Sequence, residues 1–177
     1  SYLGTLGKAN HLEYLLEIAE VCQQKLPQIL FLIVGEGSEK KRLIELTKKL
    51  TLNNIRFLPY GNKEYIKEVL TISEATYTSF LKIPVLETNS PNKFFDSLAS
   101  GKLTIVNTKG WLQEIVENNK CGLFINPSYP HLFVDKIKNL VENNNQLTFY
   151  QQNARKTALM YFDKKVILKK IVDSLND

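Results

Sequence analysis

The amino-acid sequence predicts an α/β fold, in which a parallel sheet of about six strands has helices on both faces and is followed by a helical C-terminal tail. Short β-branched runs alternate with longer amphipathic segments along most of the chain, and this alternation is typical of parallel sheets. Residues 128–177 carry helical periodicity only, which predicts the tail. With 177 residues, 44% of them hydrophobic, residues 1–177 are expected to form a single domain with a sizeable core.

The strands are predicted from short apolar runs that end at turn residues. Tyr2 and Leu3 are interpreted as the end of a strand whose upstream part is missing, so we expect the chain to be a fragment of a longer protein with a further domain. The later strands are predicted at residues 29–35, 54–61, 75–80, 103–107 and 121–127.

The helices between these strands are predicted from apolar residues spaced by three or four positions. The first helix is marked by Leu12, Leu15, Leu16, Ala19 and Cys22. The second is marked by Leu43, Leu46 and Leu50, and the third by Ile66, Val69 and Leu70. In open sheets of this kind, ligands bind outside the carboxyl ends of the strands. The candidate ligand loops are therefore residues 4–11, 35–38, 58–63, 81–92 and 107–112.

The composition argues against several classes of protein. No apolar run approaches the roughly 20 residues needed to span a bilayer, and the first residues lack the charged start and apolar stretch of a signal peptide, so we expect a cytoplasmic protein. Cys22 and Cys121 lie far apart without histidines at metal-ligand spacing. Neither a disulfide framework nor a metal site is therefore predicted, and both thiols are expected to be buried and free.

The chain carries 23 basic and 18 acidic residues, a net charge of +5. This charge would suit a polyanion, a phosphorylated small molecule or an anionic membrane surface. The two basic stretches, KKRLIELTKK and DKKVILKK, have no aromatic residues between their lysines. Because stacking aromatics are typical of single-strand nucleic-acid sites, no nucleic-acid partner is predicted.

The segment SPNKFFDSLASGK, residues 90–102, predicts a short helix with sharp ends. Ser90 is expected to be the N-cap, Pro91 the first helical residue and Gly101 the left-handed exit. The spacing predicts an inward face made of Phe94, Phe95, Leu98 and Ala99. A second face carries Asn92, Asp96 and Ser100. Asp96 is therefore expected to point away from the core, either as an ordinary solvated side chain or as a ligand-binding carboxylate.

Two glycine-containing segments follow predicted strands. GTLGKAN lacks the additional glycine and the hydroxyl that a P-loop needs, so that motif is rejected. Gly35-x-Gly37 opens a helix, with Arg56 about twenty residues further on, as in an NADP-type site. Lys40 replaces the third glycine of that fingerprint, and a tight turn into a helix is the alternative.

The aromatic and imidazole side chains offer few catalytic candidates. His11 and His131 are the only histidines, and no serine or cysteine motif accompanies them, so a hydrolase triad is not predicted. His11 is expected to cap or to pack. Trp111 lies between a strand and a helix, and it is interpreted as a core residue, with a pocket wall as the alternative.

The order of these motifs matches one family. The first glycine loop is followed by FLIVGEGSEKKRL, NIRFLPYGNKEYIKEVL, LKIPVLETNSPNKFFDSLASGKLTIV and GWLQEIVENNKCGLFINP. This order resembles the nucleotide-sugar-binding, Rossmann-like half of family 4 (group 1) glycosyltransferases of the GT-B fold. The most specific element is residues 96–101, an acid followed by small-apolar-Ala-x-Gly, with Asp where Glu is usual. The SPNK form, preceded by IPVLETN, is most similar to bacterial O-antigen and capsule transferases, including the fucosamine-transferase type.

The resemblance implies a set of donor-binding residues. The Asp96 carboxylate would accept hydrogen bonds from the ribose of the donor. The residues implied at the diphosphate are Lys8, Ser90, Asn92 and Lys93. The base region falls on Leu58 and Tyr60, and the donor-loop candidates are Gly4, Thr5, Gly7 and Glu87. A helix N-terminus at the diphosphate is physically apt, because its N–H groups are unpaired and the helix dipole is positive there.

The chain departs from the family in two regions. Thr5 and Asn10 stand where members often carry an arginine and a lysine that clamp the diphosphate, and Lys8 between them is expected to substitute. The first glutamate of the family falls on Thr88, with Glu87 adjacent, and which group takes over its role is left open.

The resemblance implies the C-terminal, donor-binding domain of a retaining glycosyltransferase that uses a nucleotide sugar, UDP-linked, in polysaccharide biosynthesis, without a cofactor or a metal. Its partner would be an N-terminal acceptor-binding domain, and the fragment alone is expected to transfer no sugar. Peripheral association of the full-length enzyme with the cytoplasmic face of a membrane is left open. The alternatives are an NADP-dependent oxidoreductase built on Gly35 and Gly37, and a non-catalytic nucleotide-binding or protein-interaction module.

Overall fold

A computed structural model describes residues 1–176, which contain six β-strands and eight α-helices. The strands are β1 (Tyr2–Leu3), β2 (Phe31–Val34), β3 (Ile55–Leu58), β4 (Ala75–Thr78), β5 (Leu103–Val106) and β6 (Gly122–Phe124). The helices are α1 (Glu13–Lys25), α2 (Lys40–Lys49), α3 (Lys63–Ile72), α4 (Asn92–Ala99), α5 (Trp111–Asn118), α6 (Leu132–Glu142), α7 (Asn144–Tyr161) and α8 (Lys164–Asn176). Two short 3₁₀ helices cover Lys8–Asn10 and Pro84–Thr88. The alternation of strands and helices confirms the predicted α/β class.

The strands form two three-stranded parallel sheets, in the orders β1-β2-β3 and β4-β5-β6. The sheets abut between β1 and β4, where the Tyr77 N–H donates to the Ser1 carbonyl at 2.8 Å. The prediction of one continuous sheet is therefore replaced by two half-sheets, because β1 is only two residues long and offers few backbone groups for pairing with β4. Across the junction, the strand order is β3-β2-β1-β4-β5-β6.

The predicted strand runs are longer than the observed strands. The run 54–61 was expected to be extended throughout, whereas β3 ends at Leu58. Pro59 follows at once and has no N–H to donate to a ladder. The residues beyond the strand ends form the loops that carry the candidate site.

Two clusters of buried side chains form the core. The larger joins the strands to α1, α2 and α6, with Leu16, Ile33, Leu43, Ile105 and Phe133 among its members. The smaller lies between α4, α5, α7 and the second half-sheet, and it includes Phe94, Leu98, Val106, Leu112 and Val116. Cys22 and Cys121 are buried free thiols, as expected, and burial raises the pKa of Cys22 to about 12.

The tail predicted for residues 128–177 is helical over its described part, where it comprises α6, α7 and α8. The last helix, α8, leaves a stripe of apolar side chains exposed: Ile167, Leu168, Ile171, Val172 and Leu175. None of the helices in residues 1–176 has the length and apolar character needed to cross a bilayer.

The Gly35-x-Gly37 segment packs against the loop that follows β1. A Cβ atom on Gly35 would collide with the Gly4 carbonyl oxygen, and one on Gly37, whose φ is +154°, would collide with the Leu6 carbonyl oxygen. The Leu6 carbonyl in turn accepts the Glu39 N–H at 2.9 Å. The glycines are therefore required by backbone packing, as in the tight-turn alternative. The loop after β1 packs against the turn at which a dinucleotide fingerprint would bind the pyrophosphate.

Candidate functional site

A groove lies between α3 and α4, at the end of the sheets where β1 and β2 terminate, and encloses about 2130 Å³ including space open to solvent. Its lining includes six of the residues implied by the family resemblance: Gly4, Thr5, Tyr60, Asn92, Lys93 and Asp96. Five others lie outside this lining: Gly7, Lys8, Leu58, Glu87 and Ser90. The groove therefore brings together the beginning of α4, its carboxylate, the first loop and the loop after β3.

The N-terminus of α4 opens into this groove. Pro91, with φ −81° and ψ 131°, is the N-cap, and α4 begins at Asn92 without a side-chain capping bond. The prediction of Ser90 as N-cap and Pro91 as first helical residue is therefore wrong by one position. The extended backbone of Pro91 ends the preceding segment, and the Phe94 N–H donates to the Pro91 carbonyl at 3.0 Å. The first N–H groups of α4, at Asn92 and Lys93, lie at the groove.

The faces of α4 are distributed largely as predicted. Phe94 and Leu98 are fully buried, while Asp96 faces the groove. Ala99 was expected to pack inward, but it is exposed and lines the groove. At 3.6 residues per turn, a residue three positions after Asp96 lies on nearly the same side of the helix, which explains this correction. Phe95 is half-buried, stacked against Trp111 with ring centroids 6.0 Å apart.

Buried hydroxyls fix the position of α4. Ser97, directly after Asp96, accepts a hydrogen bond from the Thr76 hydroxyl of β4 and lies 2.7 Å from the Thr104 hydroxyl of β5. The helix ends at Ala99, and Gly101, two residues further on, has a φ of +62°, which confirms the predicted left-handed exit. The two hydroxyl contacts of Ser97 anchor the helix to the second half-sheet, so rigid elements set the direction of the Asp96 side chain.

Asp96 is partly shielded from water by the groove walls. This desolvation raises the pKa of its carboxyl group above the usual value, and the positive charge of Lys63, at the start of α3, acts in the opposite direction. Lys63 lines the opposite wall of the groove. The wall is held in place by Asn62, whose side chain caps α3 by accepting the Tyr65 N–H at 3.0 Å.

The Lys93 ammonium has neutral hydrogen-bond partners. Its Nζ donates to the Tyr2 hydroxyl at 2.7 Å and to Asn10 Oδ1 at 3.0 Å, and it lies 4.3 Å from the centroid of the Tyr2 ring. No ion pair involves Lys93 within residues 1–176. Burial lowers the pKa of this lysine to about 8. The ammonium thus lacks a counter-anion in the part of the chain that the structure describes.

The first loop brings Asn10 rather than Lys8 toward the groove. Lys8 is exposed in the 3₁₀ helix Lys8–Asn10. His11 caps this helix, since its N–H donates to the Lys8 carbonyl at 3.2 Å, and its ring packs edge-on against Tyr14, as expected of a capping or packing residue. At Gly4, a Cβ atom would lie 3.1 Å from Lys93 Cε, so the glycine makes room for the lysine.

Glu87 lies away from the groove, in the 3₁₀ helix Pro84–Thr88, and lines a separate small cavity. Trp111 is half-buried and packs on the smaller core cluster, as predicted. Its indole N–H donates to the Asn89 carbonyl at 3.1 Å, which ties the segment before α4 to α5.

The hydrogen-bond partners of Lys93 are not predictable from the sequence. Tyr2 and Asn10 lie 91 and 83 positions away from it in the chain. Neither forms part of a local motif with Lys93, so a single sequence carries no signal for these contacts. The burial of Tyr2 could be inferred from its place in a strand, but not the partner of its hydroxyl.

The chain belongs to the glycosyl transferases group 1 family, whose sequence model matches residues 1–157. The fold agrees with this assignment. No curated protein matches the chain in sequence.

Solved structures of glycosyltransferases share the fold. A mutant of S. aureus TarM, in complex with fondaparinux, alpha-GlcNAc-glycerol and UDP, is 20% identical with a TM-score of 0.78, covering 99% of this chain and 35% of that one. HepE of Anabaena in complex with UDP is 19% identical with a TM-score of 0.78, covering 99% of this chain and 48% of that one. The chain therefore spans about a third to a half of the length of these two proteins.

A third structure matches over most of both chains. The C-terminal domain of LpcC, a glycosyl transferase group 1 family protein from Francisella tularensis, is 18% identical with a TM-score of 0.73. The alignment covers 92% of this chain and 86% of that domain. At these identities the likeness establishes the fold alone.

Proposed function

We propose that this chain is the donor-binding domain of a two-domain glycosyltransferase and that the groove between α3 and α4 holds the nucleotide of a UDP-sugar. The observation that carries the proposal is the placement of Lys93 at the N-terminus of α4, with an ammonium that has no carboxylate partner in residues 1–176. An ammonium and the unpaired N–H groups of a helix favour the same ligand, an anion such as a diphosphate.

Asp96 is proposed to bind the ribose. It lies one helical turn beyond Asn92, in the same groove, and no ion pair involves it within residues 1–176. A carboxylate there would repel a phosphate, but it can accept two hydrogen bonds from the neutral diol of a ribose. A nucleoside diphosphate lying along α4 would meet the N–H groups with its phosphates and Asp96 with its sugar.

The base is proposed to lie at the loop after β3. Tyr60 in this loop lines the groove and is 70% exposed, so its ring is available for stacking on a base. Leu58 ends β3 two residues before Tyr60 and lies outside the groove lining, and it is proposed to contact the base through its main chain.

The remaining features of the whole enzyme are part of the same proposal. The chain would supply the donor site, and an N-terminal acceptor-binding domain would supply the rest of the active site. The full-length enzyme would transfer sugar with retention to a glycan or lipid-linked acceptor in bacterial polysaccharide biosynthesis of the O-antigen or capsule type, on the cytoplasmic side. The similar TarM and HepE structures were solved with UDP, which supports a UDP-linked donor.

The proposed site supplies its own positive charge through Lys93 and the N-terminus of α4, so we propose that binding requires no divalent cation and no cofactor. UDP affinity is then expected to be the same with Mg²⁺ and with a chelator. A strict requirement for Mg²⁺ would contradict this part of the proposal.

The test of the function is a thermal unfolding series with UDP, NADPH and buffer alone. At a hundred-fold excess over the dissociation constant, UDP is expected to stabilise the chain by about 2.7 kcal/mol. NADPH is expected to have no comparable effect, because the loop after β1 fills the Gly35-x-Gly37 turn. A shift with NADPH and none with UDP or UDP-sugars would overturn the proposal.

A further inference from the structure

We infer that Tyr2 and Asn10 are positioning residues for Lys93, holding its ammonium at the start of α4 with one N–H left to donate to a diphosphate. This inference rests on the proposed function, because it requires a diphosphate in the groove. It assigns a positioning role to Tyr2, for which the family pattern gives no ligand contact, and to Asn10, which stands where members often carry a lysine that clamps the diphosphate.

The donor count of Lys93 supports the inference. A lysine ammonium has three N–H donors. Two of them are taken up by the Tyr2 hydroxyl at 2.7 Å and by Asn10 Oδ1 at 3.0 Å. The third is the one available to a ligand. Both protein acceptors are neutral, so they orient the ammonium without cancelling its charge.

The Tyr2 hydroxyl is itself fixed. Tyr2 is fully buried in β1, and its hydroxyl donates to the Thr5 carbonyl at 2.7 Å. Because the only hydroxyl proton is committed to Thr5, the oxygen lone pairs are left for the ammonium. Tyr2 therefore connects Lys93 to the first loop through one oxygen atom, and its ring lies beneath the charge at 4.3 Å.

Asn10 approaches Lys93 from a loop that is fixed at both of its sides. The Asn10 N–H donates to the Gly7 carbonyl at 3.0 Å, and the Leu81 N–H donates to the Ala9 carbonyl at 2.8 Å. The amide can accept from the ammonium as a carboxylate would, but without a negative charge. An aspartate at this position would form an ion pair with Lys93 and would compete with any incoming phosphate.

A shielded ammonium that lacks a carboxylate partner is costly for folding, and its retention needs an explanation. Neutral partners keep the charge available to an external anion, whereas an ion pair would stabilise the fold and remove that availability. The arrangement is thus better suited to binding than to stability.

The experiment compares Tyr2→Phe, Asn10→Asp and the control Tyr150→Phe. Tyr150 is partly buried against the larger core cluster and lies outside the groove lining. Affinities for UDP and for uridine, which lacks the diphosphate, are measured by calorimetry or competition, and unfolding is followed for every variant.

Tyr2→Phe is expected to weaken UDP binding about five- to tenfold and Asn10→Asp by more than about tenfold, since each loses or neutralises a charge-assisted bond. Uridine affinity is expected to stay at the parent value in both, and Tyr150→Phe is expected to match the parent for both ligands. Asn10→Asp is also expected to raise the melting temperature, so its binding loss cannot come from misfolding.

Parent-like UDP binding by Tyr2→Phe and Asn10→Asp would overturn the inference while leaving the proposed function intact. Equal losses for UDP and uridine would also overturn it, because the two residues would then shape the groove in general. Failure of the parent protein to bind UDP would overturn both the proposed function and this inference.

Discussion

Lys93 is expected to lower the stability of the fold, although it is proposed to bind the diphosphate in the groove. Its pKa falls from 10.5 to about 8 because the ammonium is desolvated. Between these two pH values the unfolded chain holds a proton that the folded chain has released, so stability rises with pH over this window. At pH 7 both states are protonated, and the full cost of the shielded charge, on the order of 3 kcal/mol, is present.

The substitution Lys93→Met is therefore expected to stabilise the protein at pH 7 by about 1–3 kcal/mol, while it weakens UDP binding. The gain should shrink toward zero near pH 10, where the parent lysine is largely neutral. Urea unfolding of parent and variant at both pH values measures this. A variant that is less stable than the parent at pH 7 would show that the lysine contributes to the fold.

The same group predicts a pH dependence of binding. Because the charged ammonium binds the diphosphate, UDP affinity is expected to fall by up to about tenfold as the pH is raised from 7 to 9.5. Burial raises the pKa of Tyr2 above its usual range, so its phenol stays protonated in this interval. Calorimetry across the range tests the expectation. Lys93→Met is the control, and the difference between the parent and variant profiles isolates the lysine, because the uracil ring of UDP also loses a proton toward the upper end of the range.

Asp96 is expected to be the most sensitive position for recognition of the nucleoside. Asp96→Ala should weaken UDP binding roughly ten- to a hundred-fold, since two ribose hydroxyls lose a charged acceptor. Stability should change little, because this side chain lies off the buried face of α4. Asp96→Glu should keep binding within several-fold. A 2′,3′-dideoxy analogue of UDP should be nearly indifferent to Asp96→Ala, and an equal loss for both ligands would mean that the carboxylate does not act on the ribose.

At the scale of single elements, local signals predicted the helices well. The exit of α4 at Gly101 follows from the freedom of glycine at positive φ, and the burial of Phe94 and Leu98 follows from their spacing. The N-cap was wrong by one residue, because Ser90 and Pro91 are both acceptable at adjacent positions and the choice depends on how the preceding segment enters.

The contents of the site were harder to predict than its outline. Asp96, Asn92 and Lys93 could be predicted because they lie within one helix, so their spacing fixes their mutual position. The contacts of Lys93 with Tyr2 and Asn10 depend on how distant segments pack, and a hydrogen bond between them leaves no mark on local spacing.

The first loop allows the assignment of Lys8 to be tested separately. Lys8 is exposed and outside the groove lining, so its role at the diphosphate remains a prediction. If the lysine contributes, Lys8→Ala should weaken UDP binding more than uridine binding, by an amount typical of one charged hydrogen bond, about tenfold. Calorimetry with both ligands measures this. Parent-like UDP affinity in Lys8→Ala would mean that Lys8 does not contact the diphosphate and that Lys93 is the lysine of the site.

At the scale of the whole molecule, the class of the fold followed from the alternation of strands and helices, since that alternation is a property of the entire chain. The division into two half-sheets did not follow. It depends on the backbone pairing of a two-residue strand, for which a sequence pattern gives no measure.

This chain is expected to bind UDP but to transfer no sugar by itself, because the proposed groove supplies donor contacts only and the similar TarM and HepE chains are two to three times as long. The measurement is a transfer assay with a UDP-sugar and lipid-linked or sugar acceptors, run beside a UDP-binding assay. Transfer by the purified chain would contradict the two-domain proposal, whereas binding without transfer agrees with it.

The packing at Gly35 and Gly37 has a consequence for how genetic data on this chain would be interpreted. In a saturation-mutagenesis library selected for activity, both positions would reject every other amino acid, although neither lines the groove. Such data would suggest a dinucleotide-binding fingerprint at the two glycines, although their backbone contacts already explain why no other residue is tolerated. Soluble yield separates the cases, because variants at the two glycines should be lost from the soluble fraction, whereas variants at Lys93 and Asp96 should remain in it.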